Sequence, residues 1–484
     1  MPNHGSKGLP VKIDSASNGE FVPLAVPEHL RMAQDLAAVR ITEGARQAGQ
    51  SRRAFLASLC GVATTFAAFN EAFAARKDTG GLFKIYPDAP RDEAAAAQTV
   101  AGDEFIFDVQ THMLDPDGPW RQRPNGGQRT RWLSSRGQGK CGRGDAIDCY
   151  ASDQFIKDIF LDSDTDMAVL SFMPGMPDDN PRTIEEAART RRLIEALDGE
   201  HRLLLHAMVV PNAGHAGLGS REVERMVRAV EEWKIDAWKV YTQWGPQGRG
   251  WWLDDPDTGI PFIEQARALR VKTIATHKGI SFGRFPPKYA RCDDVGRIAR
   301  AYPDVNFLIY HAGYEPYQAE GPFDPAHTGS GISSLVKSML VNDIAPNSNV
   351  YAELGSTWRL WMRNPTGAAH ALGKLLTYVG EDNVSWGTDS IWAGSPQDQI
   401  QAFRAFEIAP ALQQQFGYPP PLRRRARRRS SGSMVRGSMA SNPNCFAIRL
   451  RTTASNAYAR TTAMRRGRIS NHTGRAAGPS LALS

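Results

Sequence analysis

The chain contains no uninterrupted apolar run of the roughly 18 residues that a membrane span requires, which excludes a bundle of spanning helices. It has five cysteines in 484 residues, too few for a disulfide-held scaffold. No glycine-rich turn follows its first candidate strand, which removes the dinucleotide-binding reading of an alternating chain. From Pro421 to Ser484 there is no Lys, Asp or Glu, yet there are 14 Arg. That last absence decides how the charge is read. The whole chain has 58 Lys and Arg against 51 Asp and Glu, a net +7. The terminal segment contributes +14, which leaves −7 on the preceding 420 residues. The positive sign is local, so it is no argument for a nucleic-acid-binding body.

The arginine-rich segment has no sustained helical or strand period. Arg423, Arg424, Arg425, Arg427, Arg428 and Arg429 form one run, embedded in Ser, Ala, Gly and Thr. Three readings fit it. We favour translation out of frame, because Arg without Lys or acids is what a GC-rich gene yields in the wrong frame. A solvated disordered tail comes second. A basic arm for nucleic acid comes third, and it predicts affinity that falls steeply with salt and vanishes on deleting residues 421–484.

What is present begins with a leader-like stretch. Ser51-Arg52-Arg53-Ala54-Phe55-Leu56 opens a modest apolar segment that reaches Phe69, and Ala72-Phe73-Ala74 follows as a small-x-small site. Paired Arg, a short apolar region and such a site describe a secretory signal. The stretch resembles a twin-arginine export signal, which implies the twin-arginine machinery as a partner and a periplasmic or exported location. A short buried helix is the plain alternative, and it would leave the protein cytoplasmic. The expected division is an N-terminal extension (1–50), the leader (51–75), a catalytic body (84–418) and the tail (419–484). Cys141 and Cys149 are either a pair formed in an oxidising compartment or free thiols.

The body, 41% hydrophobic and 23% charged over the whole chain, is ordinary globular material. Short apolar runs predict strands at Phe105–Gln110, Met167–Phe172, Leu203–Val210, Ile235–Thr242, Val271–Thr276, Val305–Tyr310, Val350–Leu354 and Val384–Gly387. Amphipathic segments between them predict helices near Asp153–Phe160, Thr183–Leu197, Ser220–Trp233, Ile260–Leu269, Asp293–Ala301, Ile332–Val341, Ala368–Val379 and Pro396–Ile408. Eight strand–helix units predict an α/β fold, a (β/α)8 TIM barrel. Met113–Tyr150 is a long insertion between strand 1 and helix 1, placed to act as a lid over a barrel mouth.

Barrel enzymes carry their reactive groups at the C-terminal ends of the strands. His112, His277, His311 and Asp389 fall at the ends of strands 1, 5, 6 and 8. Lys239 lies in strand 4 and Glu353 in strand 7. One such His is usually structural, but four metal-compatible side chains at four strand ends point to a site.

In order and spacing, Phe107–His112, Trp238–Thr242, His277, Tyr310–Glu315 and Trp386–Ser390 resemble the amidohydrolase superfamily. The resemblance is to its amidohydrolase-related branch, which includes aminocarboxymuconate-semialdehyde and resorcylate decarboxylases. It covers about Phe105 to Tyr418 and implies one divalent metal ion, zinc by preference, with manganese or iron as alternatives. The implied ligands are His112, His277 and Asp389, with Gln110 as a doubtful fourth. His311 and Asp389 are the implied catalytic groups, His311 as acid or base. Neutral imidazoles with one carboxylate suit a catalytic zinc and leave a position for water. The family has His where this chain has Gln110, and an amide oxygen is a weaker donor than imidazole. Lys239 is expected to pair or to contact a substrate carboxylate rather than to bridge two metals.

Around this set, Tyr241, Trp238 and Trp392 are candidate walls of a substrate pocket. Arg359 is a candidate carboxylate clamp. Glu353 is a candidate partner of Lys239 or of a metal ligand. The function expected is a metal-dependent hydrolase cleaving a small-molecule amide, ester or lactone type bond. A decarboxylase on the same residues is the alternative. A metal-poor barrel that binds without catalysis is the third.

Overall fold

Eight of the expected apolar runs form the strands of one parallel sheet. The computed structural model describes residues 8–14, 17–18, 20–124, 126–136, 141–214, 217–281 and 286–420. The arginine-rich segment from Pro421, with all three readings of it, lies outside the described residues. Strand β1 (Gly81–Phe83) precedes the barrel. The barrel strands are β2 (Phe107–Thr111), β3 (Met167–Leu170), β4 (Leu203–Met208), β5 (Ala237–Tyr241), β6 (Thr273–His277), β7 (Asn306–Tyr310), β8 (Val350–Glu353) and β9 (Val384–Ser385). They run side by side in chain order, each parallel to the next.

The first and last barrel strands meet. Val109 N donates to Trp386 O at 3.0 Å and Asp389 N to Gln110 O at 2.8 Å. Asp108 adds a clamp, accepting from Thr388 N at 3.0 Å and Thr388 Oγ1 at 2.5 Å. Alternation along the strands divides the core in two. Phe107, Val109, Val169, Ala275, Leu308, Tyr310 and Tyr351 fill the barrel interior. Their neighbours Trp238, Val240, Ile274, Phe307, Ile309 and Val350 join the larger core outside it.

Helices α1 (Glu28–Gln47), α2 (Arg52–Leu56), α3 (Leu59–Ala74) and α4 (Glu93–Val100) precede the barrel. The insertion after β2 holds α5 (Gly126–Arg136), and α6 (Ser152–Ile156) follows it. Then come α7 (Ile184–Asp198), α8 (Ser220–Glu231), α9 (Gly259–Ala268), α10 (Val295–Ala301) and α11 (Ile332–Val341). The series ends with α12 (Thr357–Trp361), α13 (Pro365–Lys374), α14 (Gln397–Ala405) and α15 (Pro410–Phe416). Helix α7 shows the local logic. The Thr183 hydroxyl caps its start by accepting from Glu186 N, and Gly199, at φ 75°, ends it in the left-handed conformation that glycine adopts freely.

One local expectation is corrected. The helix expected over Pro396–Ile408 stops at Ala405, and Phe406–Ile408 is strand β10, paired antiparallel with β1. Tertiary pairing overrides the helical period there, because Phe406 packs on Phe83 at 6.0 Å between ring centroids. The leader-like stretch falls in α2 and α3. Arg52 and Arg53 are exposed in α2, but Val62, Phe66, Phe69 and Phe73 of α3 are buried in the main core. Asn70 fixes α3 to β1, donating to Phe83 O at 2.6 Å and accepting from Phe83 N at 3.0 Å. Among the described residues no helix is long and apolar enough to cross a membrane.

Candidate active site

The four expected side chains converge at the C-terminal mouth of the barrel. His277 ends β6; His112, His311 and Asp389 lie just beyond β2, β7 and β9. All four are buried. His311 and Asp389 also adopt positive φ, 64° and 56°. Such backbone is costly for residues other than glycine and persists where surrounding structure imposes it, often at functional sites.

The hydrogen bonds assign the imidazole tautomers. His311 Nδ1 lies 2.6 Å from Gly355 O, and a carbonyl only accepts, so Nδ1 carries the proton. His311 Nε2 is then a lone pair, and it has no hydrogen-bond partner among the described residues. His277 Nε2 faces Ile280 O at 3.4 Å, which turns Nδ1 into the mouth. Backbone carbonyls thus orient both rings, as second partners orient metal-binding imidazoles. His112 Nε2 lies 3.0 Å from Asp389 Oδ1.

Burial lowers the basicity of all three rings and brings His311 down to about 4. They are neutral at pH 7, as metal ligation or proton acceptance requires. Burial alone would raise the Asp389 carboxyl. The hydrogen bond from His112, the attraction of His112 and His311 once acid protonates those rings, and the Ser356 hydroxyl outweigh it and hold Asp389 at about 2.

Gln110 donates through Nε2 to Asp389 Oδ1 at 3.1 Å, while its Oε1 has no hydrogen-bond partner among the described residues. It therefore orients the carboxylate. Tyr241, His277 and Tyr310 stand side by side in register on β5, β6 and β7. The Tyr241 ring stacks on His277 at 5.0 Å and its hydroxyl donates to Phe172 O at 2.8 Å. Trp392 stacks on His112 at 5.6 Å and meets Tyr150, at the end of the long insertion, at 5.2 Å. The insertion thus packs beside the mouth, where Met113, Trp120, Leu133 and Tyr150 share one apolar core with Trp392.

Other expectations change. Lys239 does not pair with Glu353. Its Nζ is buried over the Tyr310 ring at 3.6 Å and the Tyr241 ring at 4.5 Å, and burial lowers it to about 7. Glu353 instead accepts from His311 N at 3.1 Å and from Gly355 N, so it shapes the loops that carry the site. Trp238 faces the outer core, its indole donating to Val271 O at 2.9 Å, because an inward residue on its strand must alternate with an outward one. Arg359 is engaged by Asp14 at 3.4 Å and Asp398 at 3.8 Å.

Three further residues at the site carry no local signal in the sequence. Ser356 Oγ donates to Asp389 Oδ2 at 2.6 Å. Asn18 Nδ2 donates to the same oxygen at 2.8 Å. Glu20 lies 3.7 Å from His277 Nδ1 and 3.8 Å from His311 Nε2. Burial, then the Asp389 charge, raises the Glu20 carboxyl well above the usual range. No periodicity or motif marks residues 18 and 20; only long-range folding brings them here. Glu20, His277 and His311 offer donor atoms within 4.8 Å of one another. With His112 and Asp389 adjacent, this donor set fits a divalent cation, since it supplies imidazole nitrogens and carboxylate oxygens in a buried cluster.

The amidohydrolase family model matches residues 161–427, more than half of the chain. No curated protein sequence matches. Similar solved structures include an uncharacterized TIM-barrel protein from Bordetella bronchiseptica, 10% identical over 64% of this chain and 95% of that one, with a TM-score of 0.42. They also include a 5-carboxyvanillate decarboxylase from Novosphingobium aromaticivorans with bound manganese, 12% identical over 65% and 94%, at 0.40. A third is a 2,6-dihydroxybenzoate decarboxylase from Rhizobium, 15% identical over 66% and 97%, at 0.36. With the family model spanning most of the barrel, the chain belongs to the amidohydrolase family, and it is a metal-dependent enzyme of that family.

Proposed function

We propose that the enzyme hydrolyses an amide, ester or lactone type bond in a small molecule, with His112, His277 and Asp389 holding one divalent metal ion and His311 moving the proton. The observation that carries this is the convergence of three neutral imidazoles and one ionised carboxylate at four strand ends of one barrel. A bound divalent ion would polarise the scissile group and lower the pKa of water from about 15.7 towards about 7. Zinc is the ion we favour, with manganese or iron as alternatives.

The chain's own residues supply the rest. Gln110 and Ser356 hold Asp389 by one hydrogen bond on each oxygen. Gly355 O fixes the His311 tautomer so that Nε2 faces the mouth, where it takes a proton from water and returns it to the leaving group. Trp392 and the insertion exclude solvent on the β2 side.

A second reading is decarboxylation on the same residues. It is favoured by Lys239, whose buried Nζ has no hydrogen-bond partner among the described residues. Metal analysis and product analysis test both. Below about 0.2 metal per chain after zinc or manganese loading, catalysis on this site is refuted. Carbon dioxide release from a carboxylic acid panel, with no turnover of amides, esters or lactones, selects the second.

We also infer export through the twin-arginine route. Exposed Arg52 and Arg53, the Ala72-Phe73-Ala74 site and the Cys141–Cys149 disulfide support it. Burial of α3 argues for retention in the folded body. Fractionation of a bacterium expressing the chain decides: recovery from the periplasm supports export, and recovery from the cytoplasm alone refutes it.

A further inference from the structure

Glu20 stands far from the barrel in sequence and inside its mouth in space. Residues 8–14, 17–18 and 20–25 form no helix or strand. They are held by anchors at several points. Leu9, Val11, Ile13 and Phe21 are buried. Lys12 Nζ donates to Ala393 O at 3.0 Å and Ser395 O at 3.2 Å, and Lys12 N donates to Asp398 Oδ2 at 2.9 Å. Asp14 engages Arg359, and Arg363 Nη2 donates to Ala25 O at 2.8 Å.

Between these anchors the chain presents two side chains to the reacting groups. Asn18 Nδ2 bridges Asp389 Oδ2 at 2.8 Å and Glu20 Oε2 at 2.5 Å. Glu20 N donates back to Asn18 Oδ1 at 2.9 Å, a tight turn that aims the carboxylate inward. That carboxylate faces His277 and His311 within 3.8 Å. The Tyr241 ring, which stacks on His277, lies under the buried Lys239 ammonium. Glu20 thus occupies the space in front of His277 Nδ1 and His311 Nε2.

We propose that the described residues 8–14, 17–18 and 20–25 are an internal competitor for the active site, and that Glu20 occupies the subsite for a carboxylate of the substrate. This rests on reading the barrel mouth as the reaction site. The substrate class that follows is a small carboxylic acid, its acid group exchanging with Glu20 and its reacting bond lying towards Asp389. Occupancy by the segment lowers apparent substrate affinity by the fraction of open chains.

Calorimetric titration of benzoate into the full manganese-loaded chain tests the proposal. Two variants are compared with the wild type. Glu20→Ala removes the competing carboxylate, and Lys12→Ala loosens the segment without touching the reacting groups. The expected result is benzoate binding tighter by about tenfold for Glu20→Ala and about threefold for Lys12→Ala, with manganese stoichiometry unchanged in Lys12→Ala. Benzoate affinity that is equal or weaker in both overturns the proposal. So does a loss of manganese affinity in Glu20→Ala with no gain for benzoate, which would make Glu20 a resident ligand. If circular dichroism shows Glu20→Ala to be unfolded, Lys12→Ala alone decides by the same criterion. If no chain takes up manganese, the metal-dependent reading fails separately, and benzoate binding to the metal-free chains decides the competitor.

Discussion

His112 Nε2 lies 3.0 Å from Asp389 Oδ1, so one hydrogen bond joins the groups that follow the first and last strands of the barrel. The site is assembled at the seam where β2 meets β9, and any change that opens the seam disturbs both groups. His112→Ala, His277→Ala and Asp389→Asn are each expected to lower manganese or zinc affinity at least about tenfold. His311→Ala is expected to keep the metal and to lower kcat by about 100-fold or more, the scale of a lost acid–base group. Metal content by elemental analysis, measured beside kcat, checks this. Equal metal loss in all four variants would refute the role given to His311.

Lys239 provides a pH test with a definite sign. Burial brings its ammonium down from 10.5 to about 7. The unfolded chain therefore binds this proton more tightly than the folded one between about pH 7 and 10.5. Stability rises with pH across that window, and below it the buried group contributes a constant penalty. Lys239→Met removes this term. The wild type should gain urea midpoint relative to Lys239→Met between pH 7 and pH 9.5. A constant difference between the two would show that Lys239 titrates normally.

Lys278 follows the site residue His277 and makes a fully buried ion pair with Asp294, Nζ to Oδ1 at 2.8 Å. Removing one partner strands a buried charge. Asp294→Asn should cost about 3–5 kcal/mol in equilibrium unfolding, whereas changing both residues to apolar ones of similar size should recover most of it. If the single and double variants are equally unstable, packing rather than charge is what the pair contributes.

Cys292 is buried, and burial pushes its thiol up to about 12. The thiolate is the reactive species, so native protein at pH 8 should resist iodoacetamide at this residue and react once unfolded. Peptide-resolved mass spectrometry reads the outcome. Rapid native labelling of Cys292 would mean that α10 and the loop before it open readily.

Much of the barrel was legible because its signals are local. Each strand is a short apolar run, and helix α11 occupies the same residues, Ile332–Val341, that periodicity predicts. Where local period and long-range pairing conflict, pairing prevails: Phe406–Ile408 leaves the helix to meet β1. Asn18 and Glu20 were invisible for the same reason, since Asn18 and Asp389 are 371 residues apart and no local pattern encodes their contact.

The sequence by itself determined the eight strand–helix units and the order in which His112, His277, His311 and Asp389 reach the strand ends, because hydrophobic period and chain order suffice for both. Only the tertiary structure decided the rest. It set which nitrogen of His311 carries the proton, because that depends on Gly355 O. It set Lys239 over aromatic rings instead of beside Glu353, because burial depends on every neighbouring strand. And it seated Glu20 among the imidazoles, because a contact between distant parts of a chain is paid for by the packing of the whole fold.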